Sequence, residues 1–320
     1  MKKTFFVFVC MVLCTIWMLP ADSYAKTKKT TEEEAAVAEL PPLKGPKKTI
    51  AVMDFENKAG GEAEWNLGSG MAEMLTTSLV NSGRFIVVER KDITDVLKEQ
   101  DFGASGRTTE VGAAKIGKIL NSQILVRGAV TEFSASSSGG DTGISYGGIS
   151  LGMSSSKAHV AVNIRLYDST TGEVLDSLRC EGNATASGAS VGYSGVVDFG
   201  GSGFSKTPLG KATQESINKA VYFIVTKMND VPWQGKIASV KDDVVIINAG
   251  KTSNVNIGDE FTAYKKGEEI TDPDTGATLG CELKKTGRIQ VTSVEEKFSK
   301  AQATAGGAGS LATGDVIKLE

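Results

Sequence analysis

The sequence predicts an α/β domain with two β-hairpin inserts, followed by a small all-β module. Three observations lead there. Apolar strand-like segments alternate with amphipathic helical stretches between Thr49 and Met228; two nearly chargeless, Gly/Ser-rich inserts interrupt the later strands; and from Gln234 onward short alternating segments with turn signals replace the helices.

The 320-residue chain opens with "MKKTFFVFVCMVLCTIWMLPADSYA": two lysines, an apolar run from Phe5 to Leu19, and a small-x-small ending at Ser23-Tyr24-Ala25. Residues 1–25 therefore read as a removable secretory signal, the run being shorter than the ~20 apolar residues of a retained membrane helix. Leu13 before Cys14 lacks the small residue that lipidation requires. Residues 26–48, charged and then proline-containing, carry no apolar period and are expected to form a flexible leader. About 295 residues remain, enough for two modest domains. Cys180 and Cys281, the cysteines beyond the signal, make no disulfide framework; they suit a pair in an oxidising periplasm or two buried free thiols. The formal net charge of −3, without Lys/Arg clusters among aromatics, argues against nucleic acid as a partner.

In the first domain, 49–230, "TIAVMDFEN" reads as a strand buried on both faces. "NLGSGMAEMLTTSLVNSG" sets Leu67, Met71, Met74, Leu75 and Leu79 on one helical face, and Gly83 ends it. "RFIVVER" is a strand, "KDITDVLKEQ" a helix with Ile93, Val96 and Leu97 inward, "EVGAAKIGKILNS" a third helix, and "QILVRGAVTEF" a strand. "HVAVNIRLYDSTTGEVLDSLRC" alternates strictly, with Val160, Val162, Ile164 and Leu166 on one side and a hairpin turn at Gly172. Thr207-Pro208 reads as an N-cap and first helical residue of a helix reaching Met228, with Leu209, Ile217, Val221, Ile224 and Val225 as its apolar face. In the second module, 234–320, Gly258-Asp259 and Gly314-Asp315 each precede a strand and suggest two similar corners of a small barrel.

Catalytic constellations are missing. His159 is the one histidine, which argues against an imidazole-based triad or zinc site and for a surface or interfacial residue. "GAAKIGK" from Gly112 fits a phosphate-loop spacing, but Ile119 stands where a magnesium-binding hydroxyl is required and the stretch sits in a helical pattern. "DPDTGATLG" from Asp272 begins like a calcium loop but lacks the closing glutamate, so a hairpin turn with Gly276 explains it better. No cofactor or metal is expected.

The inserts carry the functional signal. Between Ser134 and Ser156 the one charge is Asp141, and between Gly182 and Ser205 it is Asp198. Asp141-Thr142-Gly143 and Asp198-Phe199-Gly200-Gly201 suit turns at the tips. Val191, Tyr193, Val197 and Phe199 share one parity opposite glycine and serine, and Ile149, Leu151 and Met153 alternate likewise; all seven are candidate lipid-facing residues. Each insert holds two strands of about 10 residues, the length that crosses a bilayer at a tilt. Four strands cannot close a barrel, and open edges in hydrocarbon leave backbone groups unpaired, so membrane hairpins here require several subunits to share one barrel. Solvent-exposed loops are the alternative for the same composition.

"TIAVMDFEN", "MAEMLTTSLVNSGRFIVVERKDITDVLKEQ", "ILVRGAVTEF" and "VAVNIRLYDSTTGEVLDS" together resemble the CsgG family, the curli production assembly and transport component of bacterial outer membranes. The resemblance implies membrane hairpins at about 134–158 and 182–206, a homo-oligomeric ring in outer-membrane lipid with a large periplasmic portion, and non-enzymatic export of an unfolded polypeptide or fibre subunit. It further implies a constriction in the loop Asn57–Gly68, with Trp65 and Asn66 the nearest candidates; Trp65 also suits a staple packing the following helix. The C-terminal module resembles that of the flagellar assembly protein T family, implying periplasmic accessory partners. The rival to a channel is a periplasmic scaffold whose inserts are soluble loops.

Overall fold

The computed structural model describes residues 40–60, 67–109, 113–116, 119–139, 144–146, 149–151, 154–188, 204–274, 276 and 278–319. The α/β module is a six-stranded sheet in the order β3-β1-β4-β7-β8, with β2 also on β4. Strands β1 (Lys48–Val52), β2 (Glu56–Asn57) and β3 (Phe85–Val87) are short; β4 (Ile124–Gly139), β7 (Ser154–Asp168) and β8 (Val174–Gly188) are long. β1 pairs in parallel with β3 and β4, whereas β4, β7 and β8 are successive antiparallel neighbours. Helices α1 (Leu67–Ser82) and α3 (Pro208–Met228) cover one face, α1 against β1 and β4, α3 against β7 and β8.

Local chemistry explains these elements. Ile50, Ala51 and Val52 are buried as befits a central strand, but the strand stops there, and Met53 and Asp54 are exposed. Met71, Leu75 and Leu79 form the buried stripe of α1, and Gly83 at φ 64° ends it. Val160, Val162, Ile164 and Leu166 all point into the core beneath α3. The turn after β7 is held by Asp168, whose Oδ1 accepts from the amides of Thr170 and Thr171 at 2.7 and 3.1 Å, with Gly172 at φ 75°. Thr207 caps α3, its hydroxyl accepting from Gly210 N at 3.0 Å, with Pro208 first in the helix.

Three expectations need correction. α2 (Ile93–Ala104) forms, but Val96 and Leu97 are exposed rather than inward, and Gln100 is its buried residue. The third helix is absent among the described residues of its stretch: 113–116 and 119–122 are irregular, and Ile116 and Leu120 lie exposed. Gly112 and Gly117 weaken any helix there, and no neighbour rewards an apolar stripe. The leader is ordered from Leu40 onward: Leu40 is buried, its carbonyl accepts from Arg84 at 3.4 Å, and Lys48 already belongs to β1. In the first insert β5 (Ile144–Tyr146) pairs antiparallel with β6 (Ile149–Leu151), Tyr146 opposite Ile149, while the tip expected at Asp141–Gly143 lies outside the described residues. The secretory signal and the second tip lie outside the described residues.

The C-terminal module is a closed barrel in the order β10-β13-β12-β11-β14-β9. Its strands are β9 (Gln234–Lys241), β10 (Val244–Ile247), β11 (Glu260–Thr271), β12 (Thr278–Val294), β13 (Ser299–Ala305) and β14 (Val316–Lys318). Ile237, Val245, Phe261, Ile289 and Ile317 fill it, with Trp233 against Phe261 at a ring separation of 5.2 Å. The two Gly-Asp corners match: Gly258 and Gly314 have φ 94° and 95°, and Asp259 and Asp315 accept from Asn256 N and Ala312 N at 2.8 and 3.0 Å. At Asp272, Oδ1 accepts from Asp274 N at 3.0 Å and Gly276 has φ 69°, the geometry of a hairpin turn.

Candidate functional site

The site that chain topology builds is a stem of strands with a charged base. β4, β7 and β8 run 16, 15 and 15 residues without interruption, from the helix-covered core to Gly139, Ser154 and Gly188. At about 3.3 Å per residue each is roughly 50 Å long. The portions Ser134–Gly139, Ser154–Ser156 and Gly182–Gly188 of the glycine- and serine-rich inserts are therefore paired strand, not loop. Gly182 has a structural role: a Cβ there would lie 1.8 Å from the Ala212 carbonyl oxygen, so its bareness lets β8 and α3 touch backbone to backbone.

A one-residue irregularity marks the base of the stem. The β4–β7 register shifts between Val130 and Glu132, leaving Thr131 extra. Above it Glu132 joins the helix-free face, where His159 Nε2 lies 2.8 Å from Glu132 Oε2 and Nδ1 lies 2.8 Å from Asn183 Oδ1. Arg179 donates to Glu132 at 2.5 Å, to Glu181 at 2.6 Å and to the Thr131 hydroxyl at 3.1 Å. Arg179's hydrogen bond, aided by its charge and by His159, holds the Glu132 carboxyl below its ordinary range. On the helix side, Asn183 N donates to Glu215 at 2.8 Å, and Lys219 bridges Glu215 and the Glu181 carbonyl. This girdle ties all three stem strands to α3.

Lower on the helix-free face is a polar hollow of about 420 Å³, lined by Phe55, Glu56, Lys58, Arg127, Arg165 and Tyr167 among others. Arg127 and Arg165 stand directly opposite each other across β4 and β7. Glu56 bonds Lys58 at 2.9 Å, and that bond keeps its carboxyl low, with both arginines adding. The loop toward Trp65 and Asn66 departs here. Its start is pinned by β2 on β4 and by Lys58 N donating to Val130 O at 2.8 Å. Its return is pinned at Gly68, where a Cβ would lie 1.9 Å from the Phe55 carbonyl oxygen.

Trp65, Asn66, Met153, Val191, Tyr193, Val197 and Phe199 lie outside the described residues; Ile149 and Leu151 lie on β6. The girdle was not foreseen, because its partners are 24 to 48 residues apart in sequence and meet across strands. The sequence signal available was the charge on successive odd positions Arg179 and Glu181. His159 is part-exposed and paired at the surface, as expected of a lone histidine. Cys180 and Cys281 are free; burial pushes the Cys180 thiol up to about 11. Among the described residues no cluster of His, Cys, Asp and Glu could hold a metal, and no helix is long and apolar enough to cross a membrane.

Comparison with known proteins places this architecture. A lipoprotein-named chain of Neisseria meningitidis serogroup B is 25% identical over 216 residues, covering 65% of this chain and 89% of that one. The curli production assembly/transport component of Salmonella typhimurium is 24% identical over 162 residues, 48% of this chain and 58% of that protein's length. Among solved structures, a PelC dodecamer from Paraburkholderia phytofirmans matches at 15% identity and a TM-score of 0.29, covering 57% of this chain and 91% of the other. That last likeness is too distant to support an argument. The family model for the curli production assembly/transport component CsgG matches residues 31–255, and the chain belongs to the CsgG family.

Proposed function

We propose that this chain is a subunit of an outer-membrane secretion channel. Copies form a ring in which hairpins at about 134–158 and 182–206 share one transmembrane barrel above a periplasmic α/β layer. An unfolded polypeptide or fibre subunit diffuses through, with no catalytic chemistry and no cofactor. The observation that carries the reading is the unbroken run of β4, β7 and β8 out of the core into stretches almost free of charge. Backbone groups in hydrocarbon must all be paired, so such strands become a barrel only when neighbouring copies seal their edges.

Ile149, Leu151, Met153, Val191, Tyr193, Val197 and Phe199 face lipid in this arrangement, and Trp65 with Asn66 narrows the pore. The pinned roots of their loop, beside a hollow lined by arginines, support a position fixed relative to the stem. The domain division at 230–234 and the likeness of the C-terminal module to that of flagellar assembly protein T suggest that the barrel module meets periplasmic accessory proteins.

The experiment is a projection image of detergent-extracted particles together with conductance in planar bilayers. Rings that conduct, with conductance altered by Trp65→Ala, are expected. A chain that stays a single copy in plain buffer without detergent would sink the channel reading; rings with conductance unchanged by Trp65→Ala would remove Trp65 from the constriction.

A further inference from the structure

The polar hollow on the helix-free face holds positive charge that the fold itself does not use. Arg127 of β4 and Arg165 of β7 are cross-strand partners, which sets their Cβ atoms about 4.5–5.5 Å apart. Like charges directly opposite in a sheet are destabilising. Elsewhere on this module such charge is answered: Arg179 meets Glu132 and Glu181, and Lys227 meets Asp176. Among the described residues neither Arg127 nor Arg165 donates a side-chain hydrogen bond or joins an ion pair.

The acids of the hollow do not cancel the pair. Glu56 is bonded by Lys58 at 2.9 Å and feels the two arginines as a lesser influence on its carboxyl. Asp54 has no ion pair with either arginine, and it also lines a separate cleft of about 220 Å³ beside α1, which puts it at the border between the two. Neutral hydrogen-bonding groups flank the arginines on the same face. Asn163 and Tyr167 stand two residues to either side of Arg165 on β7, about 7 Å away along the strand, and both line the hollow. Ala129, opposite Asn163, contributes only a methyl group there. At about 420 Å³ the space is of the size that takes a small molecule.

We propose that this hollow is an oxyanion site that takes a phosphate group, free or as the monoester of a small molecule. Arginine presents its donors as a planar fork that matches phosphate oxygens in pairs. Two forks facing each other across adjacent strands hold two of the oxygens, and the Asn163 amide and Tyr167 hydroxyl serve the third. A phosphate monoester carries close to two negative charges near neutrality, which offsets both guanidinium groups and removes the repulsion between them. A single carboxylate brings one charge and two oxygens and leaves half of the site unanswered. The site stands apart from the channel reading and needs no neighbouring copy.

The test is calorimetric titration of full-length, detergent-extracted protein with inorganic phosphate, glycerol 1-phosphate and succinate, at an ionic strength fixed with sodium chloride. Saturable binding of a phosphate, one per chain, is expected, and comparison of the first two probes tells free phosphate from a monoester. Arg127→Gln and Arg165→Gln are each expected to weaken binding at least about tenfold, the scale of one lost charge-assisted fork. Lys211→Gln, an exposed charge on α3 across the sheet, should leave it unchanged. Binding no stronger than the chloride background, succinate held more tightly than either phosphate, or equal losses in all three variants overturns the site.

Urea unfolding adds a readout that a merely structural role would not move. Without phosphate, Arg165→Gln is expected to be at least as stable as the parent, because it relieves the like-charge pair. With phosphate the parent's midpoint should rise while the variant's stays where it was; an equal rise in both overturns the site. Phosphate held by single-copy particles upholds the site while sinking the channel, and conducting rings that hold none do the reverse.

Discussion

The two β structures of this chain solve the same problem in opposite ways. The C-terminal barrel closes on itself, β9 meeting both β10 and β14, so every strand has two neighbours. Among the described residues the α/β sheet ends at β3 and β8, each with one strand neighbour. A closed barrel pairs all its strand edges within one chain, whereas an open sheet keeps two edges available for pairing. In the proposed ring, assembly falls to the α/β module, and the barrel should tolerate isolation better.

Three substitutions or conditions sharpen that contrast. The largest effect is expected inside the barrel: Trp233→Ala removes the ring packed on Phe261 and should cost about 3–5 kcal/mol, measured by urea unfolding of the detergent-solubilised chain. Next comes Gly182→Ala, which forces β8 and α3 apart; a loss of about 1–3 kcal/mol is expected, with Gly309→Ala in the barrel, where the added Cβ meets open space, as a near-neutral control. Equal effects of the two glycine changes would contradict the close contact described at Gly182.

The smallest effect is electrostatic. Glu132, held low by Arg179, and Asp176, held low by its bond to Lys227, both have folded values below their unfolded ones. Their contribution is present above the ordinary carboxylate range and is lost as pH falls through the lowered values. Urea midpoints should therefore be level near neutrality and decline below about pH 4. In Glu132→Gln the acid-dependent part of that decline should shrink; an identical pH profile would show that the girdle has no such role.

What the sequence revealed follows a physical divide. Val160 to Leu166 alternate because a strand's period is fixed, Thr207-Pro208 announces a cap, and two Gly-Asp pairs mark two corners; each is a local signal with a local cause. The apolar period of α2 was equally legible, but periodicity tells that a face is greasy and not what covers it. Leu40 and Leu43 lie among residues read as leader because their docking beside Arg84 and Val225 is long-range and leaves no period behind. The Glu132–Arg179–His159 girdle escaped for the same reason, being assembled across three strands.

One inserted residue deserves a final consequence. Below Thr131 the even positions of β4 face the helices, while above it Phe133, opposite Val160, takes that side. Thr131 thus works as a phase shifter, letting one strand obey two alternation codes in succession. Deleting that single threonine would therefore keep every distal side chain on the flank it already occupies, fusing the two codes into one regular alternation and removing only the bulge.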